Sequence, residues 1–141
     1  MGDRVVCGID EVGRGAWAGP VTVAAVIPAP RHVRGVRDSK ELTPGERERA
    51  AGKVAAWAVA IGIGHASHEE CDELGMTAAL RAAGRRALTL LATQGYEPDR
   101  IILDGKHDYL GLGTRVTTVI KGDATSLAVA AASCVAKVTR D

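Results

Sequence analysis

At 141 residues and 14.6 kDa, with 46% apolar and 25% charged residues, the chain has the size and balance of one soluble globular domain. That composition excludes a disordered tail, a collagen-like fibre and a disulfide-stapled miniprotein, and no apolar run reaches the ~20 residues of a membrane span. With Lys and Arg at 18 against Asp and Glu at 17 the net charge is +1, so a polyanion partner must be met by local basic patches rather than a global field.

The opening stretch MGDRVVCGID carries charges where a signal peptide needs an apolar segment, which points to a cytoplasmic protein. Arg4 to Ile9 and Val21 to Ile27 are β-branched runs that predict two strands joined by a Gly-rich loop, GRGAWAGP. A basic, turn-rich segment follows, PAPRHVRGVRDSK. Thr43-Pro44-Gly45-Glu46 then has the form of a capping box with Pro at the first helical position. Ala50, Val54, Trp57 and Ala58 recur behind it at helical spacing. Val59 to Ile63 reads as a third strand, and Ser67-His68-Glu69-Glu70 as a second capping box opening an acidic turn, with His65 and His68 in polar turn positions. Leu80, Ala83, Ala87, Leu90 and Leu91 predict a helix from about Thr77 to Thr93, ending near Gly95. Arg100 to Leu103 and Val116 to Ile120 predict two more strands, and Thr125 to Thr139 a final Ala-rich helix. The order β-β-α-β-α-β-β-α describes an α/β domain with a mixed sheet. The last run stops at Asp141 with no Gly or Asn to cap it, so the expectation is a chain cut off inside an element.

Cys7, Cys71 and Cys134 are odd in number and far apart, and no Cys-x-x-Cys pair exists. They are expected to act as small buried hydrophobes in a reducing compartment, not as a disulfide framework or zinc site. Phe is absent and aromatic residues are 3%, so Val, Ile, Leu and Ala must fill the core. Few rings remain for stacking nucleobases, which argues against a single-strand binder of the stacking type.

Four acids stand at strand ends. Asp10 and Glu11 close the apolar run VVCGI, Asp104 follows IIL and precedes Gly105, and Asp123 follows the fifth strand in IKGD. Each alone reads as a turn former. Together they lie where open α/β sheets gather their sites, outside the carboxyl ends of the strands. Carboxylates clustered there repel unless a cation is present, and all-oxygen ligation suits Mg²⁺ or Mn²⁺. Beside Asp10 and Glu11, Gly13-Arg14-Gly15 offers backbone N–H groups and a guanidinium fork to phosphate oxygens. Lys40 and Lys121 add cations at loop positions, although either by itself also reads as surface.

The string G-I-D-E-V-G-R-G-A-W-A-G-P closely resembles the opening motif of ribonuclease HII, the type 2 ribonuclease H. R-D-S-K-E-L-T, I-L-D-G and K-G-D…A-A-S-C-V-A-K-V-T-R-D agree with the same family in order, so the resemblance runs from about Val5 to Asp141. It implies a ribonuclease H-like fold, a mixed five-stranded sheet flanked by helices, as one catalytic domain over residues 1–141. It implies Asp10, Glu11, Asp104 and Asp123 as catalytic metal carboxylates, and Gly13-Arg14-Gly15 as the reader of a sugar 2′-OH at an RNA–DNA junction. Lys40 falls in a family loop near the substrate, and Lys121 precedes the last acid. Family members continue past the T-R-D helix into helices that supply duplex contacts and a junction-reading tyrosine, and neither Tyr96 nor Tyr109 stands in that place.

The implied chemistry is two-metal phosphodiester hydrolysis, with cations roughly 3.5–4 Å apart at the scissile phosphate. Asp10 is expected to bridge them, with Asp104 and Asp123 completing the two shells separately. Glu11 is harder to place, because successive side chains on a strand point to opposite faces. The expected substrates are RNA–DNA hybrids and ribonucleotides embedded in duplex DNA, leaving 3′-hydroxyl and 5′-phosphate ends. The 2′-OH distinguishes a ribonucleotide from DNA. Arg31, Arg34, Arg37 and Lys40 are available to the phosphate backbone, so binding should weaken with salt. Two other readings stay open. One is a shortened chain that binds nucleic acid without cutting and covers its C-terminal face by self-association or with a partner chain. The other is a nuclease of the same fold with another substrate, such as a resolvase-like enzyme.

Overall fold

A computed structural model of the chain describes residues 6–12, 21–29, 43–104, 109–111, 116–119 and 131–136. Five strands form one sheet: β1 (Val6–Val12), β2 (Val21–Ile27), β3 (Ala60–Ala66), β4 (Arg100–Asp104) and β5 (Val116–Val119), in the spatial order β3-β2-β1-β4-β5. β1 runs antiparallel to β2 and parallel to β4, β2 is antiparallel to β3, and β4 is parallel to β5. The sheet is therefore mixed, with β1 at its centre. All seven residues of β2 are buried, as expected of a strand covered on both faces.

Helix α1 (Pro44–Trp57) starts at the expected capping box: Thr43 Oγ1 accepts from the Glu46 N–H at 3.2 Å, and Glu46 Oε1 accepts from the Thr43 N–H at 3.0 Å. Its buried residues Ala50, Val54 and Trp57 recur at helical spacing. Val54 and Trp57 pack on one sheet face with Ala24, Val26 and a helical turn, α4 (residues 131–136). Helix α3 (Met76–Thr93) covers the other face, where Leu80, Ala83, Ala87 and Leu91 meet Cys7, Ile9, Val23, Ile101 and Leu103. Among the described residues the core is thus built mainly of Val, Ile, Leu and Ala, with Cys7, Trp57 and Tyr109 among them. Among the described residues, no helix is long and apolar enough to cross a membrane.

Three local expectations need correction. β1 does not end at Asp10 and Glu11 but continues to Val12, because Val12 and Glu11 pair with Thr22 and Val23 of β2. β3 covers Ala60–Ala66 rather than Val59 to Ile63: seven consecutive pairings with β2 override the weak strand preference of Gly62, Gly64 and His65. The acidic turn is a helix, α2 (His68–Leu74), whose Ser67 cap forms the full reciprocal box with Glu70. The final helix is seen at residues 131–136, and the rest of the predicted run lies outside the described residues.

Arg86 joins these pieces. It donates two hydrogen bonds to the Glu70 carboxylate, at 2.9 and 2.7 Å, and one to the His65 carbonyl at 2.6 Å, linking α3 to α2 and β3. The Arg86 hydrogen bonds, aided by the Ser67 N–H, lower the Glu70 pKa from 4.5 to about 2. A carboxylate pulled down on folding stabilises the fold above its unfolded pKa and loses that contribution as pH falls through the folded value. Glu70→Gln is therefore expected to melt slightly below the parent at neutral pH, with the gap closing between about pH 4.5 and pH 2. Thermal melts across that range check this, and a constant gap would contradict it. The effect is small because the pair is exposed to solvent.

Candidate active site

The register of the sheet places the acids. Ile9 pairs with Leu103, so the next step along the two parallel strands sets Asp10 level with Asp104, the last residue of β4. On its other side Asp10 pairs with Ala24 of β2. Ile9 belongs to the α3 face, so the alternation of the strand assigns Asp10 to the opposite face, beside α1 and α4. Asp104 ends β4 and Asp10 lies two residues before the end of β1, towards the carboxyl ends of the parallel strands where α/β sites usually lie.

Asp10 is only 7% exposed, the one carboxylate in the buried set among the described residues. Its Oδ1 accepts from the Glu11 N–H at 2.9 Å, so the backbone of the same strand orients it. Burying a charged carboxylate in a sheet is costly unless its charge is compensated. Glu11, one residue on, points to the α3 face, where the Tyr109 hydroxyl donates to its Oε2 at 3.4 Å. The difficulty over Glu11 thus has a geometric form: the strand does not end before it, and its carboxylate meets a tyrosine from the other side of the sheet.

Gly13, Arg14, Gly15, Lys40, Lys121 and Asp123, with the basic residues Arg31, Arg34 and Arg37, lie outside the described residues. Among the described residues, no group of three or more His, Cys, Asp or Glu side chains is placed to hold a metal ion. The donor set that can be placed fits a hard divalent cation: one buried carboxylate and a second acidic position level with it on the neighbouring strand, all oxygen.

Sequence reasoning missed two features near this end of the sheet. His65 is a strand residue, not part of a turn, and its Nδ1 lies 3.0 Å from the hydroxyl of buried Thr22 on β2. The run GIGHA hid this, since only the alternation of buried and open positions marks it as strand. His68 opens α2 and sits 3.2 Å from Asp72, on the surface. Tyr109, read only as a residue that does not match the family tyrosine, is buried and directed at Glu11. All three cysteines are free; Cys7 and Cys134 are buried as expected while Cys71 is only partly buried, and burial pushes the Cys7 thiol up to about 12, which leaves it inert.

The ribonuclease HII family model matches residues 7–141. Ribonuclease HII of Streptomyces avermitilis is 56% identical over 141 residues, covering 99% of this chain and 59% of that protein. The chain therefore spans about three-fifths of the length of that relative. Among solved structures, ribonuclease H2 of Pyrococcus horikoshii superposes with a TM-score of 0.77 at 28% identity, covering 96% of this chain and 72% of that one. Bst-RNase HIII in complex with Mn²⁺ gives a TM-score of 0.77 at 26% identity, covering 99% and 53%. The mixed five-stranded sheet with flanking helices is the ribonuclease H-like fold, and the chain belongs to the ribonuclease HII family.

Proposed function

We propose that this chain is the catalytic domain of a cytoplasmic endoribonuclease, dependent on Mg²⁺ or Mn²⁺. Its substrates would be the RNA strand of RNA–DNA hybrids and ribonucleotides embedded in duplex DNA, cut to leave 3′-hydroxyl and 5′-phosphate ends. The observation that carries this reading is the buried Asp10 carboxylate, level with Asp104 towards the carboxyl ends of two parallel strands. Membership of the ribonuclease HII family supports the substrate class.

In this reading Asp10, Glu11, Asp104 and Asp123 hold two cations. When bound, such cations supply Lewis-acid stabilisation of the phosphodiester oxygens and make a water acidic enough to attack at neutral pH. The chain's own residues do the rest. The Glu11 N–H holds Asp10 Oδ1 in place, so little reorganisation is needed when ligand arrives. Gly13-Arg14-Gly15, which follow β1 directly in sequence, bind the phosphate and test for the 2′-OH, and Lys40 and Lys121 offset phosphate charge.

The direct test is an RNA–DNA hybrid labelled on the RNA strand. Cleavage is expected with Mn²⁺ or Mg²⁺ and not with excess EDTA, while an all-DNA duplex of the same sequence stays intact. Cleavage that survives EDTA, or that falls equally on the DNA duplex, would contradict the proposal.

A further inference from the structure

We infer that Tyr109 is a positioning residue for the Glu11 carboxylate, an assignment that rests on the proposed reading of Glu11 as a metal carboxylate. The tyrosine is 2% exposed, inside the core on the α3 face, with its hydroxyl donating to Glu11 Oε2. A buried phenol keeps its hydroxyl satisfied, and here the partner is a carboxylate 98 residues away in sequence.

The segment carrying it is tied to a rigid element. Arg81 Nε donates to the Tyr109 carbonyl at 2.9 Å and Arg85 Nη2 to the Leu110 carbonyl at 3.2 Å, both from α3. Gly84, between those arginines on the same helix, leaves the space that Leu110 and the Tyr109 ring occupy, and a Cβ there would overlap Leu110. Helix, segment and ring therefore fix where the phenol points. Tyr109 holds the Glu11 carboxylate on the α3 side of the sheet, at the penultimate residue of β1. Groups that orient a ligating carboxylate typically matter about 10–100-fold in metal affinity.

The test is Mn²⁺ affinity, by titration calorimetry, of the parent, Tyr109→Phe, Glu11→Gln, their double variant and Asp10→Asn, with thermal melts of each in the absence of metal. Phe keeps the ring and removes only the hydroxyl. Tyr109→Phe is expected to bind Mn²⁺ about tenfold more weakly, at the low end of that range, with a melting temperature close to the parent. In the Glu11→Gln background the same change should cost nothing further. Unchanged affinity in Tyr109→Phe while Glu11→Gln binds weakly would overturn the tyrosine's role and leave the metal-site reading standing. Equal losses in both backgrounds would also overturn it, because the tyrosine would then not act through Glu11. Parent-like affinity in both Glu11→Gln and Asp10→Asn would remove the metal-site reading and the inference with it.

Discussion

Gly64→Ala is expected to destabilise the domain by about 3 kcal/mol, the upper end of the cost of overpacking a core. Gly62 and Gly64 lie on the face of β3 that meets α3, and the helix rests directly on their backbone. A Cβ on Gly64 would overlap the Ala83 carbonyl oxygen and stand 2.7 Å from the Ala87 amide nitrogen. A Cβ on Gly62 would overlap the Ala87 carbonyl and approach Leu91 Cγ to 3.2 Å. The obstacle is main chain, so no side-chain rotation relieves it, and α3 must shift bodily off a core in which Ala83 and Ala87 are fully buried. For a domain of this size that is a fall of about 10 °C in melting temperature, taken from a total stability of only ~5–15 kcal/mol. Gly52→Ala is the matched control. Gly52 sits in α1, exposed, with nothing near its missing Cβ, so alanine should stabilise by up to about 1 kcal/mol through helix preference. Thermal melts of the two variants should move in opposite directions; a parent-like Gly64→Ala would mean that α3 does not lie on β3 as described.

Asp10→Asn should separate activity from stability. Cleavage is expected to fall at least about a thousandfold, roughly 4 kcal/mol of transition-state stabilisation at ~1.4 kcal/mol per factor of ten. The fold should not suffer. Asn keeps the volume and an oxygen that can accept the Glu11 N–H, so the melting temperature in the absence of metal should stay close to the parent's. A variant that loses activity and stability together would make Asp10 a structural residue rather than one retained for chemistry.

What was legible in the sequence, and what was not, follows the range of the forces involved. Thr43 with Glu46 and Ser67 with Glu70 announce helix starts because both partners of each box lie within one turn. The β-branched runs of β1, β2, β4 and β5 announce strands for the same local reason, and the acids after VVCGI and IIL stood out because a sheet has little use for them. Long-range pairing erased the local signal elsewhere. Gly64 and His65 look like a turn until β2 pairs with both of them. Alternate glycines in a strand do hint at a close backbone approach, but not at which helix makes it. Likewise nothing near Tyr109 in the chain indicates Glu11, since the contact exists only once α3 has placed the 109–111 segment. The level placement of Asp10 and Asp104 was anticipated only as a shared sheet edge; its register comes from four parallel pairings, Val6 through Ile9 with Arg100 through Leu103.

The most direct measurement is cleavage of a DNA duplex carrying a single ribonucleotide, with the parent and Asp10→Asn run side by side in Mn²⁺ and in Mg²⁺. The account predicts one cut on the 5′ side of the ribonucleotide by the parent, leaving a 3′-hydroxyl and a 5′-phosphate, and none above background by the variant. A folded parent that leaves this duplex and an RNA–DNA hybrid intact, or an Asp10→Asn protein that cuts as well as the parent, would contradict it.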